Sequence, residues 1–137
     1  MPSFMLDTDI CSYIMKRRNP RILERLEKMG PGDVCISAIA KSELMFGVAI
    51  SPRQEKDRAA LDDFLHDLPV LDYPGEASLA YAEIRGWLKV RGTPIGSNDL
   101  LIAAHARYLN VTLVTNNTKE FLRVPGLKIE NWADPVV

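Results

Sequence analysis

The segment Leu100–Leu109 (LLIAAHARYL) constrains this chain more than any other, because at helical spacing it is apolar on nearly all sides. A helix without a polar face must be central and deeply packed. It is followed at once by Val111-Thr112-Leu113-Val114-Thr115, β-branched and apolar, the clearest strand in the sequence.

The same alternation runs through the whole chain. Phe4-Met5-Leu6 reads as a short buried strand ending at Asp7. Thr8 or Asp9 is placed to cap the next helix, whose Ile10, Tyr13 and Ile14 share a face and which stops before Asn19-Pro20. A second helix, Pro20 to about Met29, is apolar along Ile22, Leu23 and Leu26, and Gly30-Pro31-Gly32-Asp33 turns the chain into the strand Val34-Cys35-Ile36. Ser37 caps a helix reaching about Ile50, and Pro52 stands early in another over about 52–67. Val70-Leu71 is a third strand, Pro74 opens a helix ending near Gly92, and Leu127–Ile129 is a last strand before Trp132 and a frayed tail. Short strands alternating with helices predict an α/β domain with a mainly parallel central sheet and helices on both faces. With no repeat and no linker, the expectation is one domain over 1–137, its core about 4–132.

Composition removes several alternatives. At 47% hydrophobic and 26% charged, the chain is not a disordered one. No run approaches the roughly 18 apolar residues of a membrane span, and MPSFMLDTDI has neither a basic start nor a cleavable apolar stretch, so a cytoplasmic protein is expected. Cys11 and Cys35 lack zinc-ligand spacing and read as reduced, packed thiols. A net charge of −1 argues against a general nucleic-acid binder. The charges are segregated, however. Lys16, Arg17, Arg18, Arg21 and Arg25 form one basic stretch and Arg85, Lys89 and Arg91 another, while Asp57, Asp62, Asp63 and Asp67 lie elsewhere. A basic rim around an acidic pocket is compatible with that pattern.

The candidate chemistry is acidic. Sites in open parallel sheets form where strands end at their carboxyl edge, which places Asp7 beside Asn116 and Asn117. Glu43 borders the stripe Ala40-Leu44-Val48, where an unpaired carboxylate is costly. Asp99 falls in the first turn of the apolar helix, where the helix dipole favours an anion. Singly, each acid has a structural reading: Asp7 as a cap, Glu43 as a partner for Lys41 or an Arg, Asp99 as a first-turn charge. Together they make a hard-oxygen site suited to Mg²⁺ or Mn²⁺. Such a site activates water for attack on phosphorus without a His, Ser or Cys nucleophile.

Two other readings compete. Asp7-Thr8-Asp9 resembles the DxD of haloacid-dehalogenase-type phosphatases, but Cys11 stands where that family has Thr, and Asp62-Asp63 lies mid-helix. The other is a scaffold that binds RNA or a partner without cutting it.

The segments FMLDTDICSYI, CISAIAKSELMFGV, PIGSNDLLIAAHA and LVTNNTKEF, in this order and spacing, resemble the PIN-domain ribonucleases, and more closely the VapC toxins, over Phe4 to about Trp132. The resemblance implies a PIN-like three-layer α/β/α fold and metal-dependent RNA cleavage, with Asp7, Glu43 and Asp99 as metal-binding acids. The family's fourth acid falls at Asn117, whose amide can ligate without adding charge. Asp9 compensates in part, and Glu120 is the weaker substitute. The resemblance further implies growth arrest, a homodimer and a VapB-type antitoxin that forms a higher hetero-oligomer with it. Its NNT-x-EF and PIG-x-x-D elements resemble the enteric-type proteins, for which initiator tRNA cut in the anticodon region is the expected substrate. Thr115, Ser97 and Asn98 are supporting candidates, Ser97 rather as a helix cap, and Arg85 and Arg91 are candidate phosphate contacts. His105 reads as a satisfied core histidine and His66 as a surface one. Tyr73, Tyr81, Trp87 and Tyr108 suit packing more than base stacking.

Overall fold

The computed structural model describes residues 2–133. Five strands and seven helices follow one another as β1 Phe4–Leu6, α1 Thr8–Lys16, α2 Pro20–Glu27, β2 Val34–Ser37, α3 Ala38–Ala49, α4 Gln54–Leu65, β3 Val70–Leu71, α5 Ala77–Val90, α6 Ser97–Leu109, β4 Thr112–Val114, α7 Thr118–Phe121 and β5 Lys128–Glu130. The strands form one sheet in the order β3-β2-β1-β4-β5, and every pairing is parallel. From β1 the chain winds outward through β2 to β3, then crosses back to β4 and on to β5. Parallel crossovers are right-handed as a rule, so taking them in opposite directions puts helices on both faces of the sheet, as the alternation of elements predicts. The frayed tail expected after Trp132 lies outside the described residues, apart from Ala133.

The core sits on both sides of β1, β2 and β4. Met5, Leu6, Cys35, Ile36 and Leu113 are fully buried. Cys11 and Cys35 are free thiols within it. Helix α6 is as central as its composition demands: Ile102, Ala103, Ala104 and Ala106 have no exposed surface, and it reaches solvent at its ends, through Ser97 and Asn98 at the start and Tyr108 near the finish. Asn110 closes α6 in the left-handed region (φ 58°), a conformation Asn tolerates better than most residues. This closure aims the chain directly into β4. At the far edge, Trp132 is fully buried. Its ring meets Phe4 edge-on at 5.4 Å, and its Nε1–H donates to Glu130 Oε1 at 3.1 Å.

Several boundaries depart from the sequence reading, each for a local reason. The cap of α1 is Asp7, as its structural reading in the sequence allowed, and not Thr8 or Asp9. Its backbone is still extended where β1 ends, and its carboxylate accepts from the Ile10 N–H at 2.9 Å. Pro52 precedes α4, which begins only at Gln54, because the Ser51 hydroxyl accepts from the Arg53 N–H and holds that stretch as a turn. Pro74 likewise accepts from the Ala77 N–H in a turn before α5. Helix α7, four residues long, is too short to leave a periodic signature. Ser97 does not cap α6; Gly96 occupies that position, with no side-chain bond.

Ser37 does cap α3, accepting from the Ile39 N–H at 3.1 Å. It has a second partner 68 residues away: His105 Nδ1, on α6, at 2.9 Å. Both residues are buried. The Tyr73 ring stands edge-on to the imidazole at 5.5 Å, and burial holds the His105 pKa below its ordinary value. A neutral ring accepting the Ser37 proton satisfies both groups. His105 is thus the core histidine expected, while His66 is exposed.

Ser37→Ala removes a cap and leaves a buried ring nitrogen unpartnered. It is expected to lower stability by about 2 kcal/mol in denaturant unfolding. The exposed Ser42→Ala should change it by less than about 0.5 kcal/mol.

Candidate active site

The middle of the sheet is where the winding reverses, since β1 pairs with β2 on one side and with β4 on the other. Crevices open at such a switch point, at the carboxyl edge. Asp7 follows β1 there, its N–H donating to the Val114 carbonyl at 3.0 Å, and Thr115 follows β4 beside it. Glu43 arrives from the middle of α3 and Asp99 from the first turn of α6. Asp7, Thr8, Asp9, Glu43, Asp99, Asn117 and Phe121 line a single cavity of about 160 Å³.

The electrostatics show how closely these groups are coupled. Asp7 is 3% exposed, and its pKa is pushed up to about 6, first by burial and then by the charges of Asp9 and Glu43. Hydrogen bonds from the Thr115 hydroxyl and the Ile10 N–H pull it down and limit the rise. Asp99 is pushed up to about 7 by burial, with Glu120 the largest neighbouring charge, followed by Glu43, Asp7 and Asp9. Each buried carboxyl is harder to ionise because the others are present.

Glu43 is oriented from within this group. Thr8 Oγ1 donates to its Oε1 at 2.6 Å, and this bond takes the place of the pairing with Lys41 or an Arg. Asn117 Nδ2 donates to Glu120 Oε2 at 2.9 Å, while the other Glu120 oxygen accepts from the Gly96 N–H at 3.2 Å. The amide at the position of the fourth acid therefore holds a carboxylate three residues further on. Glu120 brings the negative charge toward Asp99 that Asn117 lacks. Thr115 Oγ1 also accepts from the Asn117 N–H at 2.9 Å, so one hydroxyl serves both β1 and the turn into α7.

The other candidates, Asp9 excepted, do not line the cavity. Asp9 is exposed at the cavity rim, and Ser97 and Asn98 are exposed. Arg85 donates to the Tyr81 hydroxyl at 2.9 Å, and the Arg91 guanidinium lies 3.0 Å from the centroid of the exposed Trp87 ring. Both arginines are on or next to α5, and neither lines the acid cavity. Asp62 pairs with Arg58 at 3.2 Å, and with Asp63 it sits on the exposed side of α4, so the DxD reading has no second pair of acids at the site.

Two contributors had little signal in the sequence. Thr8 reads there as a cap, and nothing local relates it to Glu43, 35 residues on. Glu120, named there only as the weaker substitute for the fourth acid, depends on α7, whose single turn carries it back toward Gly96.

The donor set is all oxygen, anionic and self-repelling, which suits a hard divalent cation. Among the described residues no three acids are drawn in closely enough to ligate one ion together. Mg²⁺ does not require that, since it commonly takes one or two carboxylates and keeps several waters. At roughly 30 Å³ per water, the cavity has room for a partly hydrated ion.

The PIN domain family model matches residues 4–127. Ribonuclease VapC2 of Rickettsia felis is 42% identical over 130 residues, covering 94% of this chain and 97% of that protein. The tRNA(fMet)-specific endonuclease VapC of Shigella flexneri is 39% identical over 133 residues, covering 97% and 100%. Among solved structures, DNA-bound VapBC from Salmonella typhimurium superposes with a TM-score of 0.91 at 39% identity, over 96% of this chain and 99% of that one. With a family match spanning most of its length and relatives this similar from end to end, the chain belongs to the PIN-domain family, among its VapC ribonucleases.

Proposed function

We propose that this protein is the toxin of a type II toxin–antitoxin pair: a Mg²⁺-dependent endoribonuclease, with Mn²⁺ an alternative ion, restrained by a VapB-type antitoxin. The observation that carries the reading is the shared cavity in which Asp7 and Asp99 both have raised pKa values, about 6 and about 7. Such a site gains most by taking up positive charge. Asp7 and Asp99 are the residues to hold the ion, with Glu43 at the same cavity wall. When bound, a divalent ion lowers the pKa of water and draws charge from a phosphoryl oxygen. The protein's own part is orientation: Thr8 fixes Glu43, Thr115 steadies Asp7, and Asn117 keeps Glu120 near Asp99.

The substrate class follows the named activity of the Shigella flexneri relative, which supports tRNA, and initiator tRNA in particular. The Salmonella typhimurium complex supports a hetero-oligomer with an antitoxin. A homodimer has support in Leu79, Trp87 and Val90, large apolar side chains exposed along one side of α5. The whole chain acts as one domain, in the cytoplasm where tRNA is found. No helix among the described residues is long and apolar enough to cross a membrane.

Asp7→Asn keeps a side-chain oxygen for the Ile10 N–H and so should leave α1 capped. Asp7→Asn and Asp99→Asn are each expected to reduce Mg²⁺-dependent cutting of tRNA more than about a hundredfold, beyond the 10–100-fold typical of a metal's outer-sphere partners. Full activity in either folded variant would exclude that residue from the site.

The raised pKa values also set a stability trend. Between about pH 4 and pH 7 the folded state binds more protons at Asp7 and Asp99 than the unfolded state does, so their contribution falls as pH rises. Without added metal, Asp99→Asn should therefore unfold at higher denaturant than wild type at pH 8, by about 2 kcal/mol, and match it near pH 4. Saturating Mg²⁺ should raise the melting temperature of wild type and have little effect on Asp99→Asn.

Induced expression is expected to stop growth, and co-expression of the adjacent antitoxin gene to restore it. Normal growth with active, soluble protein would remove the toxin role and leave the nuclease standing.

A further inference from the structure

A second concavity of about 600 Å³ runs between α1, α3 and α4 and shares Thr8 and Glu43 with the acid cavity. Its floor is apolar, from Met15, Leu44 and Val48, and its walls carry Lys16, Arg18, Arg53 and Lys56. All four cations are exposed, and none forms an ion pair with a carboxylate among the described residues. The acids that do line it are Glu43, held by Thr8, and Asp57, which accepts from the Ser51 hydroxyl. Unpaired positive charge therefore collects at a groove that adjoins the acid cavity through Thr8 and Glu43, on a protein whose net charge is −1.

We propose that this groove is the track by which the RNA backbone reaches the acid cavity, with Lys16, Arg18, Arg53 and Lys56 holding phosphates on the approach to Glu43. The inference rests on the ribonuclease reading and adds to it where the substrate lies. A polyanion is repelled by the cavity's carboxylates, and a protein with little net charge must gain its affinity from a local field. Lys16 and Arg18 come from the end of α1, and Arg53 and Lys56 from the start of α4, so the cations stand on both banks. An extended backbone lying between them would bring successive phosphates past Thr8 into the cavity. Arg85 and Arg91, engaged with Tyr81 and Trp87, line neither this groove nor the acid cavity.

The test uses full-length protein carrying Asp7→Asn, so that binding is measured without cutting, and an initiator tRNA transcript as probe. The pairs Lys16→Gln/Arg18→Gln and Arg53→Gln/Lys56→Gln are expected each to weaken binding about tenfold or more at 0.15 M salt. Each should also flatten the dependence of log affinity on log salt by roughly 0.7 for every phosphate that is no longer neutralised. Arg85→Gln/Arg91→Gln should change neither. Unchanged affinity and slope in both groove pairs would overturn the proposal. So would unchanged RNA binding with weakened capture of the purified antitoxin, which would give the groove to a protein partner. Loss of binding in the groove pairs while wild type fails to cut tRNA in Mg²⁺ would leave the track standing and remove the ribonuclease reading instead.

Discussion

The carboxylate of Asp7 joins three elements at the point where the sheet reverses its winding. It caps α1 through the Ile10 N–H, takes the Thr115 hydroxyl from the end of β4, and follows β1 without an intervening residue. A buried acid with only these partners is poorly compensated, and its raised pKa is the measure of that. The strands that meet there bring the other acids with them. Shifting β1 by one residue along β4 would turn Asp7 toward the opposite face, and the cavity would lose its floor.

Around that point the fold tolerates a repulsion it does not need for folding. Burial first, and then the charges of Glu120, Glu43, Asp7 and Asp9, push the pKa of Asp99 up to about 7. The surrounding architecture is correspondingly firm. Helix α3, which carries Glu43, and helix α6, which carries Asp99, are bound to each other through the α3 cap Ser37 and His105. A buried, satisfied polar contact of this kind helps to fix the relative position of the two helices. Stability conceded at the acids is offset by burial elsewhere, notably the buried middle of α6 and the Trp132 edge.

The charge distribution extends the same logic to the surface. Acidic groups are gathered inside a small cavity, and the unpaired cations of α1 and α4 lie just outside it. Arg91 shows the contrasting use of a basic side chain, flat against an exposed indole and remote from the acids. Sequence position alone does not distinguish these two kinds of arginine.

What the sequence determined by itself was whatever depends on local pattern. The alternation of apolar runs and helical stripes carried the parallel α/β class. The uniform hydrophobicity of Leu100–Leu109 carried the central helix, and strand-end and first-turn positions carried Asp7 and Asp99 as candidates. Four ordered segments carried the family. Only the tertiary structure decided which groups meet: Thr8 with Glu43, Asn117 with Glu120, Glu120 with Asp99, and Ser37 with His105. It also decided among the three caps the sequence offered for α1, in favour of Asp7 over Thr8 and Asp9, and that the cations beside the acids come from α1 and α4 rather than α5. The physical reason is the same throughout. Periodicity and propensity act over a few neighbouring residues, whereas these contacts depend on where strand crossovers and one-turn helices return the chain, which short-range pattern does not encode.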